Sequence, residues 1–406
     1  MRLVHLSDLH LGFRQYQRLT PRGLNQREWD VADAFRRAID GVIAIAPELV
    51  VVGGDVFHQV RPTNAAILQT FRQFTRLRAA LPETVVVLIA GNHDTPRTSE
   101  SGSILKLFAE LGLHVVDAKA ERLAFPERSL SILAVPDVAG AERPALVPDP
   151  SARFNVLLLH GEVEGIIPAA GATAERTGLE ISLEELSPAS WDYVALGHYH
   201  VYREVAPNAY YSGSIEYTSA NSWGELHEER QLDVPGKGFV ERDLATGRQL
   251  FHHLPPARAL VDLPPVEAAQ MSSADVDAAI RQRVEQCPGG IDDKIVRLVV
   301  RNCPRHIARA LDHKALREYK RRAMHFHLDA RRPEVLRLSA SGAPGRRASL
   351  FETVQQRLQE RPLPSDVPRE PFVEAGVRYL READVSAAGA TGIGAAAATA
   401  LDQPLA

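Results

Sequence analysis

The chain has 406 residues, of which 45% are hydrophobic and 24% are charged, and its formal net charge is −4. This composition excludes a disordered or fibrous protein, and the length predicts two or three globular domains. No apolar stretch reaches the ~18 residues of a membrane helix and the N-terminus carries no apolar signal region, so we expect a cytoplasmic protein without a membrane partner.

Short apolar runs recur through the first part of the chain and predict buried strands. They cover residues 49–52, 85–89, 131–135, 156–159 and 193–196. Between several of them, apolar residues recur at helical spacing, as they do over 31–43 and 104–111. Strands that alternate with helices predict an α/β protein with a layered sheet.

The pattern changes at two Pro-Pro pairs, which predict a linker over 254–265. Beyond it we expect a smaller α/β domain, with helices over 273–286 and 305–320 and strands over 294–301 and 323–329. Two amphipathic pieces joined by a Pro-rich stretch follow, and then an Ala/Gly-rich tail that we expect to be disordered. The predicted divisions of the chain are 1–250, 257–335, 345–384 and 385–406.

Five polar clusters each follow an apolar, strand-like run. They are Asp8-Leu-His10, Gly54-Asp55-Val-Phe-His58, Gly91-Asn92-His93-Asp94, His160-Gly161 and Gly197-His198-Tyr-His200. The carboxyl ends of strands in α/β sheets border one crevice, so clusters far apart in sequence can converge there. A single buried histidine at a strand end is usually a core residue, but five such clusters favour a metal site.

The residue types indicate which metals would bind. Carboxylate, amide and imidazole donors together suit Mn²⁺, Fe²⁺ or Zn²⁺ better than Ca²⁺. The set is too large for one tetrahedral ion and fits two ions that share a carboxylate. Two such ions, ~3.5–4 Å apart, clamp a phosphodiester and activate water. His5 matches no ligand pattern, and we expect it to be structural. His252-His253 and His325/His327 look like metal dyads, but they lack neighbouring carboxylates, and we do not expect them to be ligands.

In this order the motifs resemble the signature of the calcineurin-like metallophosphoesterase superfamily: D-x-H, G-D, G-N-H-D, H and G-H-x-H. The resemblance implies a layered β-sandwich flanked by helices, with a smaller α/β capping domain and a C-terminal helical segment. His58, three residues after Asp55, is similar to the recombination-repair nuclease branch, which contains SbcD and the Mre nucleases. Leu9 stands where a Trp is common in the bacterial form, which places the sequence nearer the archaeal-like subgroup.

The resemblance also implies roles for these residues. Asp8, His10, Asp55 and His200 would hold one metal ion. Asp55, Asn92, His160 and His198 would hold the other, with Asp55 bridging. His93 would act on the phosphate or the leaving oxygen, Asp94 would orient His93, and His58 would contact the phosphate.

Two basic regions point to DNA independently of the resemblance. Residues 12–27 contain Tyr16 and no acid, and their arginines are Arg14, Arg18, Arg22 and Arg27. Residues 305–332 contain the run Lys320, Arg321 and Arg322. Basic and aromatic side chains together track a phosphate backbone. The alternative for each region is a solvated charged face.

The leading hypothesis is a DNA nuclease with two divalent ions, most consistent with Mn²⁺, that hydrolyses phosphodiesters at DNA ends and hairpins. The resemblance implies the catalytic subunit of an SbcCD/Mre-type double-strand-break repair complex, with exonuclease and endonuclease activity. Its partners would be double-stranded ends, hairpins and single strands, an SbcC-type ABC ATPase that docks on 345–384, and a second copy of the chain. The alternatives are a small-molecule or phosphoprotein phosphoesterase and a non-catalytic scaffold.

Overall fold

The computed structural model describes residues 1–96, 103–142, 144–166, 178–333, 350–361, 363 and 368–380. Its strands are β1 Arg2–Leu6, β2 Leu49–Val52, β3 Val85–Ile89, β4 His114–Val116, β5 Glu121–Phe125, β6 Leu130–Val135, β7 Phe154–His160, β8 Glu162–Val163, β9 Glu180–Ile181, β10 Tyr193–Gly197, β11 Arg203–Ala206, β12 Ala209–Tyr211, β13 Gly238–Asp243, β14 Gln249–His253, β15 Leu260–Glu267, β16 Ile295–Arg301 and β17 His325–Ala330.

The α-helices are α1 Gln26–Ile45, α2 Asn64–Ala80, α3 Leu183–Leu186, α4 Ser222–Gln231, α5 Ser273–Glu285, α6 Arg305–Arg309, α7 His313–Arg322 and α8 Leu350–Glu360. A further helix covers 369–380. Shorter 3-10 helices are Ile104–Leu111, Pro126–Arg128 and Pro188–Ser190. The tail predicted over 385–406 lies outside the described residues.

Two six-stranded sheets form the centre of the compact unit Met1–Pro333. The first has the order β14-β13-β1-β2-β3-β4, and its strands β1 to β4 run parallel. The second has the order β11-β12-β10-β7-β6-β5, and β6, β7, β10 and β12 run parallel. Strands such as β2 and β7 are buried at every position. They are therefore continuous apolar runs without alternation, as is typical of parallel strands covered on both faces.

The two sheets pack face to face. Val51 and Ile89 of the first sheet belong to one apolar cluster with Val156 and Ala195 of the second. The other face of the first sheet is covered by α1 and α2. The helix α1 begins where the Asn25 side chain accepts the first free backbone N–H groups. The predicted layered α/β architecture with flanking helices is confirmed.

A smaller parallel sheet has the order β15-β16-β17 and packs against α5 and α7. The predicted linker over 254–265 is wrong in its second half, because Pro264 and Pro265 lie within β15. That strand is at the sheet edge and its register shifts between Leu263 and Val266, which is where a strand tolerates proline. The helix predicted over 305–320 is divided, and Asp312 caps the start of α7.

Polar and ring contacts join the smaller sheet to the rest of the unit. Arg258 lies between β14 and β15, and its guanidinium pairs with Asp30 of α1 at 3.0 Å and with Asp293. Tyr16 stacks on His325 of β17, with ring centroids 3.8 Å apart and ring planes 14° apart. The loop after β1 therefore touches the smaller sheet directly.

The second unit contains α8 and the helix over 369–380. The two helices meet at Gly376, where a Cβ would overlap the Leu358 side chain. Arg369 donates to the Arg361 carbonyl at 3.2 Å, and Val373 is buried. None of the helices in the described part of the chain combines the length and apolarity that a membrane crossing requires.

Candidate metal centre

The structure places the predicted polar clusters at the carboxyl ends of five parallel strands. The residues are Asp8 and His10 after β1, Asp55 and His58 after β2, Asn92, His93 and Asp94 after β3, His160 at the end of β7, and His198 and His200 after β10. Three of these strands belong to the first sheet and two to the second. The face-to-face packing brings both sets of strand ends to one edge of the sandwich.

Asp55 lies at the middle of the cluster. Its Oδ2 is 3.7 Å from His10 Nε2 and 3.6 Å from His160 Nε2. The donor atoms of Asp8, Asp55 and His160 all lie within 4.8 Å of one another, and so do those of Asp8, His10 and His200. Asp55 therefore stands between two groups of donors, where a shared carboxylate is needed.

Asn92 and His198 lie on the His160 side. Asn92 Oδ1 is 3.1 Å from His160 Nε2. The ring centroids of His198 and His160 are 5.5 Å apart, and the His198 backbone N–H donates to Asp8 Oδ1 at 3.1 Å. All seven predicted metal ligands thus lie in one cluster.

Atoms that can ligate a metal lie close together in both halves of the centre. His160 Nδ1 donates to the Gly53 carbonyl at 2.7 Å, so its Nε2 keeps a lone pair towards the acceptor Asn92 Oδ1. On the other side, His10 Nε2 and His200 Nε2 are 2.9 Å apart. A cation at each position satisfies both lone pairs at once. The donor set therefore fits two divalent cations.

Burial also prepares His10 to bind a cation. Burial, together with the neighbouring His200, holds the pKa of His10 well below its usual range. A neutral imidazole is the form that binds metal. Burial raises the pKa of the Asp55 carboxyl against the opposing effect of His160, because a buried carboxylate is unfavourable without enough positive charge nearby.

The backbone is strained where it presents these side chains. Asp8, His10, Asp55 and His198 have φ values of 52°, 45°, 51° and 106°, in the region that normally favours glycine. Such outliers cost about 1–3 kcal/mol each and persist where the surroundings impose them. Local sequence preference is therefore overridden at the positions that aim donors at the centre.

Two motif glycines make room for the donors. A Cβ at Gly91 would overlap the Asp55 carboxylate, and a Cβ at Gly54 would overlap the His160 ring. Gly54 also has a φ of 93°. The motif glycines are thus explained by close approach as well as by backbone conformation.

His93 and His58 border the cluster beside His10. The ring centroids of His10 and His93 are 4.8 Å apart, and the donor atoms of His10, His58 and His93 lie within 4.8 Å of one another. His93 Nδ1 donates to the His58 carbonyl at 2.8 Å, and the His93 backbone N–H donates to Asp55 Oδ1 at 2.9 Å. The ring and the backbone of His93 are therefore both held at the centre.

Asp94 contacts the backbone instead of the predicted His93 ring. Its buried carboxylate accepts from the N–H groups of Val56, Phe57 and Gly91 at 2.9–3.1 Å. Burial, with the charge of Asp55 adding to it, raises the pKa of Asp94 to about 7. Asp94 thus fastens the loop after β2 to the loop after β3, and it acts on His93 only through the position of these loops.

The predicted DNA-binding arginines after β1 differ in their exposure. Arg14 is half exposed and pairs with Glu28 at 2.7 Å, Arg18 donates to the Arg321 carbonyl at 3.1 Å, and Arg22 is exposed. The prediction for Arg27 is wrong, because its side chain is only 1% exposed.

Arg27 instead joins a buried polar network. Its guanidinium pairs with Asp30 at 3.1 Å and Glu216 at 3.3 Å, and it donates to the Tyr217 carbonyl at 2.8 Å. The start of α1 turns this side chain inward, which the basic composition of the segment did not reveal.

The basic run of the smaller domain lies at the end of α7. Lys320 and Arg321 are exposed, and Arg321 pairs with Glu318 at 2.6 Å. Arg322 pairs with Asp292 at 2.7 Å. Lys320 and Arg18 line a cleft of about 380 Å³ together with Tyr16 and His327. The two predicted basic regions therefore meet across one cleft.

Sequence reasoning missed a buried ionic cluster behind His200. Glu225 Oε1 lies 3.2 Å from His200 Nδ1, and the Lys237 ammonium pairs with Glu225 and Glu229. These residues lie in α4 and just before β13, away from every motif. The one available signal was a lysine that belongs to no charged surface run, and that signal is weak.

With this geometry in place, comparison with known proteins identifies the class. Residues 1–233 match the family model of the calcineurin-like phosphoesterases. This is more than half of the chain, which therefore belongs to the calcineurin-like phosphoesterase family.

Among individual proteins, the chain is similar to archaeal DNA double-strand break repair proteins Mre11. The protein from Methanocaldococcus jannaschii is 28% identical over 258 residues, which cover 60% of this chain and 63% of that protein. The protein from Sulfurisphaera tokodaii is 32% identical over 206 residues, which cover 50% of this chain and 49% of that protein. The chain thus matches less than two thirds of the length of these relatives.

Proposed function

We propose that the chain is a two-metal DNA nuclease, the catalytic subunit of a double-strand-break repair complex of the SbcCD/Mre type. The observation that carries the proposal is the convergence of two carboxylates, an amide and four imidazoles around Asp55. The similarity to Mre11 proteins supports DNA as the substrate.

Within this proposal, Asp8, His10, Asp55 and His200 hold one cation. Asp55, Asn92, His160 and His198 hold the other. Oxygen and imidazole donors in this mixture suit Mn²⁺. The ions would polarise the scissile phosphodiester and lower the pKa of a water molecule.

His93 is the proposed proton donor. Its Nδ1–H is engaged by the His58 carbonyl, so the atom that can deliver a proton is Nε2 of the imidazolium form. We assign His58 to contact with the phosphate, since its Nδ1 lies 3.4 Å from His10 Nδ1 at the border of the centre. Asp94 keeps both loops in place.

The cleft between the loop after β1 and β17 is the proposed path of the DNA strand. Arg18 and Lys320 place positive charge on its two sides, and Tyr16 and His327 add ring faces. Charged side chains neutralise phosphates, and rings stack on bases whatever the sequence. Arg14, Arg22 and Arg321 extend the basic surface, and Arg322 flanks it.

Two protein partners complete the proposal. The helices α8 and 369–380 form a separate unit, which suits a docking element for an SbcC-type ABC ATPase with a coiled coil. A second copy of the chain is proposed to bind the apolar surface of α2 and its neighbouring 3-10 helix, where Leu68, Phe71 and Leu107 are 55%, 37% and 44% exposed.

The test is digestion of end-labelled duplex and hairpin DNA by the purified chain with Mn²⁺ or Mg²⁺, alone and with the ATPase. We expect metal-dependent cleavage that a chelator abolishes and that the ATPase stimulates with ATP. Hydrolysis of a small phosphodiester without DNA cleavage would support the small-molecule or phosphoprotein alternative. Metal binding without any hydrolysis would support the scaffold.

A chain that ends at Pro333 tests the ATPase-docking element separately. It should hydrolyse a small phosphodiester at the normal rate, because the metal centre lies wholly within Met1–Pro333. It should no longer co-purify with the ATPase. Full co-purification would place the docking surface elsewhere on the chain.

A further inference from the structure

Lys237 is a buried lysine that contacts two carboxylates and a backbone carbonyl. Its side chain is fully buried, its ammonium donates to Glu225 and to the His200 carbonyl at 2.9 Å, and it pairs with Glu229 at 3.1 Å. Glu225 is fully buried. Taking such charges out of water is costly, and hydrophobic side chains of similar volume would serve packing at least as well. The cluster therefore points to a role other than packing.

Glu225 connects this cluster to the metal centre. Its Oε1 lies 3.2 Å from His200 Nδ1, and a carboxylate can only accept, so the proton sits on Nδ1. The Nε2 lone pair is then available on the opposite side of the ring, 2.9 Å from His10 Nε2. Lys237 holds both Glu225 and the His200 carbonyl, so the side chain and the backbone are fixed by the same ammonium.

The other half of the centre is supported differently. His160 Nδ1 is oriented by a neutral group, the Gly53 carbonyl at 2.7 Å. Behind His200, two carboxylates and one ammonium leave an excess of one negative charge. A carboxylate behind a histidine makes it a more basic ligand than a carbonyl does.

We propose that Glu225, anchored by Lys237, is a positioning residue that orients His200 and strengthens its hold on a divalent cation. The two ions consequently differ in affinity, and the ion on the Asp8, His10 and His200 side is the tighter one. This inference rests on the proposed two-metal function and assigns to α4 a part in metal retention.

The experiment is calorimetric titration of the metal-free full-length protein with Mn²⁺. The wild type should show two binding steps of different affinity. Glu225→Gln keeps an acceptor for His200 Nδ1 but removes the charge, and it should weaken the tighter step by about 10–100-fold while the other step stays unchanged. Glu225→Leu removes acceptor and charge, and its loss should be at least as large.

Glu228→Gln is the matched control. Glu228 is a largely buried carboxylate of the same helix, but it accepts from the Tyr199 hydroxyl at 2.7 Å instead of from a histidine. This variant should bind both ions like the wild type. The double variant Glu225→Gln with Lys237→Met removes both charges together and also the donor to the His200 carbonyl, so its tighter step should weaken at least as much as that of Glu225→Gln.

Thermal unfolding in a chelator separates folding from metal retention. Variants that melt at a lower temperature yet keep both affinities would show that the cluster only stabilises the fold, and this would overturn the inference. A wild type that binds two ions with equal affinity would also overturn it. A wild type that binds fewer than two ions would instead overturn the proposed function itself.

Discussion

Asp55 is the side chain on which both halves of the metal centre depend, since its Oδ2 lies within 3.7 Å of one nitrogen from each half. Asp55→Asn keeps the size of the side chain and removes its charge. We expect elemental analysis to show a fall from about two metal ions per chain towards none. His198→Gln should lose only one of the ions, and two ions retained in Asp55→Asn would contradict the shared position.

His93 makes a different prediction because it lies at the border of the donor cluster. His93→Gln should keep both metal ions and lower the rate of DNA cleavage by about 10²–10⁴-fold, the usual contribution of a general acid. Metal content and single-turnover cleavage are measured on the same preparation. Loss of metal in the variant would show that His93 is a ligand. An unchanged cleavage rate would show that His93 takes no part in the reaction.

His5 lies in β1 and carries a pH dependence of its own. Burial lowers its pKa to about 3, whereas an unfolded histidine titrates near 6.5. Below about pH 6.5, His5 therefore binds a proton in the unfolded chain but stays neutral in the folded chain. The free energy of unfolding should fall as the pH drops, by up to about 1.4 kcal/mol per pH unit from this residue.

Urea unfolding in a chelator at a series of pH values measures this dependence. His5→Gln removes the titrating group, so its unfolding free energy should fall less steeply between pH 6.5 and pH 4. Parallel curves for wild type and variant would show that His5 is not the group responsible.

At the scale of elements, the strand ends were predictable and the loop after β1 was only partly so. The five clusters could be placed because parallel strands end at one edge of a sheet, so local apolar runs fixed the positions of distant side chains. The inward direction of Arg27 could not be predicted, because it depends on Glu216 in a distant part of the chain.

The loop after β1 carries a prediction about DNA. The triple variant Arg14→Ala, Arg18→Ala and Arg22→Ala should bind duplex DNA with a shallower dependence of log affinity on log salt, by about 0.9 for each phosphate contact removed. Metal content should stay the same. The corresponding variant at Arg36, Arg153 and Arg248, which are exposed elsewhere, should keep the wild-type slope.

Substitution of Arg27 should lower the stability of the fold and leave DNA binding unchanged. Arg27→Met removes the buried ion-pair partner of Glu216, whereas Asp30 keeps its pair with Arg258, and breaking a buried pair costs about 3–5 kcal/mol. Chemical denaturation measures the loss. A stable Arg27→Met variant whose DNA affinity depends less steeply on salt would show that Arg27 contacts DNA after all.

At the scale of the whole molecule, sequence reasoning extended the linker over 254–265 into the first strand of the smaller sheet. Pro264 and Pro265 predicted a linker, and only the tertiary position of β15 at a sheet edge allows a strand to contain them. The cluster of Glu225 and Lys237 could not be predicted from the sequence for a related reason. Its members acquire their role through contact with His200, which no local pattern encodes.

The proposed pairing of two chains predicts a change in mass. Leu68→Glu with Leu107→Glu places charge on the exposed apolar surface of α2 and the neighbouring 3-10 helix. Sedimentation should shift from a dimer to a monomer with metal content unchanged. Leu250→Glu, an exposed leucine of β14, should stay a dimer, and a wild type that sediments as a monomer would contradict the pairing.

The backbone is strained at Asp8, His10, Asp55 and His198. We therefore expect the stability of the folded chain to depend on the supply of metal ions. A ligand that binds only the folded state adds stability by mass action, about 2.7 kcal/mol at a concentration 100 times its dissociation constant. A chain deprived of cations keeps the strain without this compensation, so the strand-end loops should open first and become targets for proteases. Metal starvation would then lower the amount of the protein as well as its activity.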